Sequence, residues 1–318
     1  MSRFVFFLCA ALAAAPAFGQ YPSKPIRLVI GFPPGSGIDA TSRVLAQGLG
    51  ESLGKPVLVE NKPGAEGSIA ADSVRHAAAD GHTLALWEFS TLVATPLLNK
   101  NVTFDSRKDF TPISLVGHFP MVLSVNSAFP AKSLRELIDH ARANPGKLNY
   151  ASVGALDTLI AGMLMKSAGI SMARVNYKGP ALSIQDLLAG RIDVAINPLS
   201  VHIGLAKEGR LRTLVVFGAN READAPEVPT TAESGMPEVA LTPWFGLFGP
   251  ANMPRELVNL LSREVNLLLE RPDMREKLER RWMKPEGSTP DALGTRLKDD
   301  LQRWTRIAAE SGLTQAAQ

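Results

Sequence analysis

Short apolar runs rich in β-branched and aliphatic residues alternate with stretches of helical period along most of the chain. The runs predict strands at Arg27 to Ile30, Val57 to Glu60, Leu84 to Trp87, Ile113 to Val116, Val122 to Val125, Leu148 to Ala151, Arg174 to Asn176, Val194 to Ile196 and Leu211 to Phe217. Between them Leu45, Leu49 and Leu53 line one helix face in a stretch beginning near Thr41, and Leu187 and Leu188 follow a Pro180 suited to a first helical turn. Alternating strands and helices predict an α/β protein, with mostly parallel sheets covered by helices on both faces. After Phe217 the pattern lapses: Pro226, Pro229, Pro237, Pro243, Pro250 and Pro254 mark residues 218–254 as loop. Two amphipathic helices close the chain, one lined by Leu257, Leu261, Val265 and Leu268, the other by Leu293, Leu297, Leu301, Trp304 and Ile307.

The first twenty residues break this alternation. Arg3, an uncharged stretch from Phe4 to Ala15, and small Ala17 and Gly19 ahead of Gln20 predict a secretory signal peptide over residues 1–20. The apolar run is shorter than the ~20 residues of a spanning helix. Export changes the chemistry to be expected. The single cysteine, Cys9, falls inside the leader, so the exported chain has no disulfide, thiolate metal site or cysteine nucleophile. The balance of 34 Lys+Arg against 31 Asp+Glu gives a net charge of +3, too little for a nucleic-acid partner.

Candidate chemistry is sparse. His76, His82, His118, His140 and His202 show no metal-ligand spacing, and no G-x-S-x-G elbow is present. Ser52 to Lys55 matches S-x-x-K, yet Gly54 there reads as a helix C-cap and the companion motifs are missing. Gly35-Ser36-Gly37-Ile38-Asp39-Ala40 matches the dinucleotide pattern G-x-G-x-x-G/A, with Glu60 closing the next strand. Export argues against a nicotinamide cofactor, and amides at a helix N-terminus hold a carboxylate as readily as a phosphate. Similar loops follow other strands: Asn61 to Gly67, Ser90-Thr91, Ser152 to Thr158 and Tyr177 to Gly179. In open α/β sheets such loops border a ligand cleft.

The stretches YPSKPIRLVIGFPPGSGIDATSRVLAQGL, VLVENKPGAEGSIAADSV, NPGKLNYASVG, VNYKGPALSIQDLLAGRIDVAI, EVPTTAESG and WFGLFGPANMP together resemble the Bug-type periplasmic solute receptors of tripartite tricarboxylate transporters, over nearly the whole exported chain. The resemblance implies a type II periplasmic binding protein fold. Two doubly wound α/β domains, residues 21–120 plus 220–318 and residues 121–219, enclose a cleft and join at crossovers near 118–122 and 218–222. It implies a monomeric, non-catalytic periplasmic receptor without cofactor or metal, which binds a small carboxylate solute and delivers it to membrane permease subunits. An exported enzyme or a solute-sensing signalling receptor on the same fold are the alternatives. The implied ligand-binding residues are Pro34, Gly35, Ser36, Gly37, Asp39, Glu88, Ser90, Thr91, Ser152, Gly154, Asp157, Thr158, Tyr177, Gly179 and Asn197. Pro33 and Pro34 stiffen the turn that presents the Gly35 to Asp39 amides, with Asp39 expected as helix N-cap. Glu88 and Asp157 depart from the family pattern. They place acids beside the pocket, which favours an amino- or amide-bearing carboxylate over a dicarboxylate.

Overall fold

A computed structural model describes residues 21–281 and 283–310; the leader expected over 1–20 lies outside the described residues. The strands in chain order are β1 (Ile26–Ile30), β2 (Val57–Asn61), β3 (Thr83–Glu88), β4 (Phe110–His118), β5 (Met121–Asn126), β6 (Asn149–Ser152), β7 (Ala173–Asn176), β8 (Val194–Pro198), β9 (Leu211–Val216), β10 (Trp244–Pro250) and β11 (Lys284–Pro285). The helices are α1 (Gly37–Leu53), α2 (Ser68–Arg75), α3 (Thr95–Leu98), α4 (Leu134–Ala143), α5 (Ala155–Ala168), α6 (Pro180–Leu188), α7 (Leu199–Lys207), α8 (Arg255–Glu270), α9 (Pro272–Glu279) and α10 (Pro290–Glu310). One sheet has the order β11-β4-β10-β3-β1-β2, the other β7-β6-β8-β5-β9.

Both sheets are mixed rather than mostly parallel. β1 pairs in parallel with β2 and β3, and β6 with β7 and β8, but β10 is antiparallel to β3 and β4 and β5 is antiparallel to β8 and β9. The reversal follows from the crossovers. β4 ends at the edge of its sheet from which the parallel strands exit, and only Phe119 and Pro120 separate it from β5, so β5 enters the second sheet from that same edge. β10 returns to the first sheet in the same way.

β10 corrects the expectation of a loop over 218–254. All seven of its residues are buried, and it lies between β3 and β4. A strand covered on both faces has no alternation to reveal it. Its two glycines dilute its apolar character further. Gly246 is needed for packing, because a Cβ there would lie 2.7 Å from the Phe248 ring.

The second crossover also departs from expectation. After β9 the chain stays with the smaller sheet: Ala225 and Val228 pack with Val122, Leu199, Ile203 and Val216, and Thr231 N–H donates to Val216 O. The return comes at residues 241–243. There Phe119 N–H donates to Pro243 O at 3.1 Å, and Leu241 N–H to Phe217 O at 2.6 Å. The two connections therefore run side by side.

α8 buries Leu257, Val258, Leu261, Val265 and Leu268 against the larger sheet, and α10 buries Leu293, Leu297, Trp304 and Ala308. α5 differs, being apolar nearly all round. It follows β6 of the smaller sheet, yet packs on α3, α10 and the π-helical turn Ser90–Ala94 of the larger lobe. Among the described residues no helix is long and apolar enough to cross a membrane.

Candidate functional site

A cavity of about 570 Å³ lies between the two lobes, bordered by the loops that leave the carboxyl ends of β1, β3, β6, β7 and β8. Four helices begin on its wall: α1 at Gly37, α5 at Ala155, α6 at Pro180 and α7 at Leu199. The first turn of a helix leaves its amides without intrahelical acceptors and carries the positive end of the macrodipole. In α1, Ser36 is the N-cap, its Oγ taking Asp39 N–H at 3.4 Å and donating to Pro33 O at 2.8 Å. No acceptor among the described residues takes the amides of Gly37 and Ile38, or those of Ala155 and Leu156 on α5. Two pairs of unpaired amides, one pair from each lobe, thus border one cavity.

Asp39 is not the N-cap, and α1 begins four residues before Thr41. Asp39 sits inside the first turn, buried, and takes Gly35 N–H at 2.9 Å, Asn61 Nδ2 at 2.9 Å and Arg43 at 3.0 and 3.1 Å. Burial pushes its pKa up, but the bonds from Arg43, Gly35 and Asn61 outweigh burial and leave it below the ordinary aspartate value. Asp39 therefore shapes the Gly35 turn from behind. Gly35 itself has φ +84°, which the turn requires.

The second loop is built alike. Asp157 accepts Val153 N–H at 2.6 Å and Gly154 N–H at 2.9 Å, so its oxygens are turned into its own loop rather than toward a solute. Burial pushes its pKa up to about 7 against those amides. Ser152 and Thr158 are buried and bonded to each other at 2.8 Å, and Thr158 Oγ1 also donates to Gly154 O.

Glu88 ends β3 on the cavity wall. Ser90 Oγ donates to its Oε2 at 2.8 Å, and no cation among the described residues lies within ion-pair distance of it. Burial pushes its pKa up to about 7, the Ser90 bond only partly opposing. Asn197, at the end of β8, borders the same cavity and bonds His202.

Of the residues expected at the site, Gly35, Ser36, Gly37, Glu88, Ser90, Gly154, Asp157, Gly179 and Asn197 line the cavity. Pro34, Asp39, Thr91, Ser152, Thr158 and Tyr177 do not, each for a local reason. Pro34 is exposed and lies outside the cavity lining, although Pro33 and Gly35 on either side belong to it. Thr91 is buried against Gly67, where a Cβ would come within 2.7 Å of its Oγ1. Tyr177 donates its hydroxyl to Asp186 at 2.7 Å. Sequence reasoning missed Glu66, Lys178 and Arg281, and the apolar walls Phe119, Leu156, Ile196, Leu199 and Phe245. Glu66 and Lys178 stand in loops already recognised by their glycines. Arg281 follows α9 and carries no local signal at all.

The family of tripartite tricarboxylate transporter receptors, TctC, matches residues 41–313. Protein BugT of Bordetella pertussis is 33% identical over 97% of this chain and 95% of its own length. The structure of Rpa4515 from Rhodopseudomonas palustris with adipate aligns with a TM-score of 0.83 and 29% identity, covering 92% of this chain and 99% of that one. MatC from the same organism, with bound malate, aligns with a TM-score of 0.78 and 27% identity over 90% of this chain and 99% of its own.

Proposed function

Since the chain belongs to the family of tripartite tricarboxylate transporter receptors, which are solute-binding receptors rather than enzymes, we propose that it is exported to the periplasm, captures one small carboxylate-bearing solute and hands it to membrane permease subunits of that transporter type. The observation that carries the solute class is the convergence of unpaired amides at Gly37, Ile38, Ala155 and Leu156 on one cavity. A carboxylate bridging them takes charge-assisted hydrogen bonds from both lobes at once, each worth ~1.5 to 3 kcal/mol. Binding and lobe contact are then the same event.

The other end of the solute meets Glu88, an acid that accepts from the Ser90 hydroxyl and has no ion-pair partner among the described residues. An ammonium or amide N–H on the solute would satisfy it, whereas a second carboxylate would meet it only after protonation. The favoured solute therefore carries a carboxylate at one end and a nitrogen donor at the other. Because Asp157 is engaged with its own loop, this preference rests on Glu88 and the groups opposite it.

Native mass spectrometry of protein purified from the periplasm of an expressing host should find a small acid retained. Calorimetry with hexanoate, adipate, adipamate and 6-aminohexanoate separates the anchor from the distal preference. Gly37→Val is the decisive variant: a Cβ at Gly37 meets nothing within 4 Å, so the protein folds, but a branched side chain beside the free amides should weaken all four probes at least tenfold. Normal binding by this variant would move the anchor elsewhere.

A further inference from the structure

The smaller lobe contains a buried polar chain that ends at the cavity. Asn197, 3% exposed on the wall, has Nδ2 3.3 Å from Nε2 of His202. His202, near the start of α7, is fully buried, and its Nδ1 lies 2.6 Å from Ser124 Oγ on β5. Ser124 Oγ is in turn 3.0 Å from Thr213 Oγ1 on β9. Burial pushes the imidazole pKa down to about 3, so the ring is neutral, with one nitrogen a donor and the other an acceptor. An amide nitrogen facing Nε2 requires the acceptor there. With Nδ2 so placed, the ring proton sits on Nδ1 and is donated to Ser124, whose hydroxyl shares a hydrogen bond with Thr213. No other group among the described residues bonds the Asn197 carboxamide.

We propose that His202 is a positioning residue, which through this chain holds Asn197 with its Oδ1 available to the solute as an acceptor. The smaller lobe thereby selects, together with Glu88, a solute bearing an N–H donor at the end away from its carboxylate. This deepens the proposed reading of the cavity and rests on it. The opposite tautomer, with the proton on Nε2 and Ser124 donating to Nδ1, turns the carboxamide round and offers its NH₂ to the cavity. That arrangement would welcome a second carboxylate. The proton position on one buried ring thus decides which chemical class this wall accepts.

Nitrogen-15 NMR of the histidine side chains in the intact protein reads that position directly. The expected result is a neutral His202 protonated on Nδ1; protonation on Nε2 overturns the proposal. Calorimetry with hexanoate, adipate and adipamate gives the second readout. In His202→Phe, and independently in Ser124→Ala, which removes the acceptor of the Nδ1 proton, the preference for adipamate over adipate should shrink at least about fivefold, the worth of one neutral hydrogen bond. Hexanoate, which lacks a distal polar group, should bind as before. An unchanged adipamate-to-adipate ratio in both variants overturns the proposal, and so does a uniform loss of all three probes, the mark of a merely structural role. If the wild type binds none of the probes, the solute-site reading fails, and the tautomer still decides how Asn197 is held.

Discussion

At the scale of the residue, Glu88 couples the site to stability. Burial, which penalises the charged form, pushes its pKa in the folded protein up from the ordinary 4.5 to about 7. Between those two values the folded state binds the proton that the unfolded state has released, so stability falls as pH rises through this window and levels off above 7. Cavity water screens part of the effect, which leaves about 1–3 kcal/mol. Glu88→Gln should therefore match the wild type in urea unfolding near pH 4 and exceed it near pH 8, with a shallower pH dependence between. Asp157, raised similarly, retains its own share of the slope in that variant. Equal stability of the two proteins at high pH would mean that Glu88 is solvated.

At the scale of the element, the site depends on a contact between two turns. Residues Gly64 to Gly67 all have positive φ, and Gly67 packs on Thr91 inside the π-helical turn that carries Ser90. Thr91 Oγ1 has no hydrogen-bond partner among the described residues, so this packing fixes the turn. Gly67→Ala would place a Cβ 2.7 Å from that oxygen at a φ of +91°, and left-handed backbone alone costs an L-residue roughly 1–2 kcal/mol. The variant should unfold at lower denaturant by about that amount or somewhat more. It should also bind adipamate more weakly, since displacing the turn moves Ser90 from Glu88. A loss of stability with unchanged affinity would uncouple the turn from the site.

At the scale of the whole molecule, the arrangement of the connections suggests how the cavity opens. Phe119 and Pro120 in one connection and residues 241–243 in the other lie side by side, joined by the main-chain hydrogen bond from Phe119 N–H to Pro243 O, which suits a hinge. α5 stands across the lobes, with its N-terminus on the cavity and its apolar body on α10 and the π-helical turn. We expect closure on binding to rotate the lobes about 119–120 and 241–243 while the body of α5 keeps its packing. Small-angle scattering should record a smaller radius of gyration with saturating adipamate. Hydrogen exchange should find residues 35–38 and 154–157 newly protected, and the middle of α5 slow in both states. An unchanged radius of gyration would mean a cavity that fills without hinge motion.

The sequence by itself determined the strand–helix alternation as far as β9, the two long closing helices and the loops that border the cavity. These are local matters: β-branched runs, helical periods, the C-cap at Gly54 and the glycines after β1, β2, β6 and β7 act within a few residues. Membership of the receptor family was equally legible, because its motifs span nearly the whole chain. Only the tertiary structure decided which polar atoms remain free. Asp39, expected as the N-cap, and Asp157, expected beside the solute, have their carboxylates occupied by amides four and three residues before them, while the amides of Gly37, Ile38, Ala155 and Leu156 have no acceptor among the described residues. β10 was hidden because a strand buried on both faces has no period. Arg281 reaches the cavity only because α9 ends beside it, and His202 meets Asn197, Ser124 and, through Ser124, Thr213 only because α7, β8, β5 and β9 pack together. Periodicity records which face of an element is covered; which atom covers it depends on contacts between residues far apart in the chain.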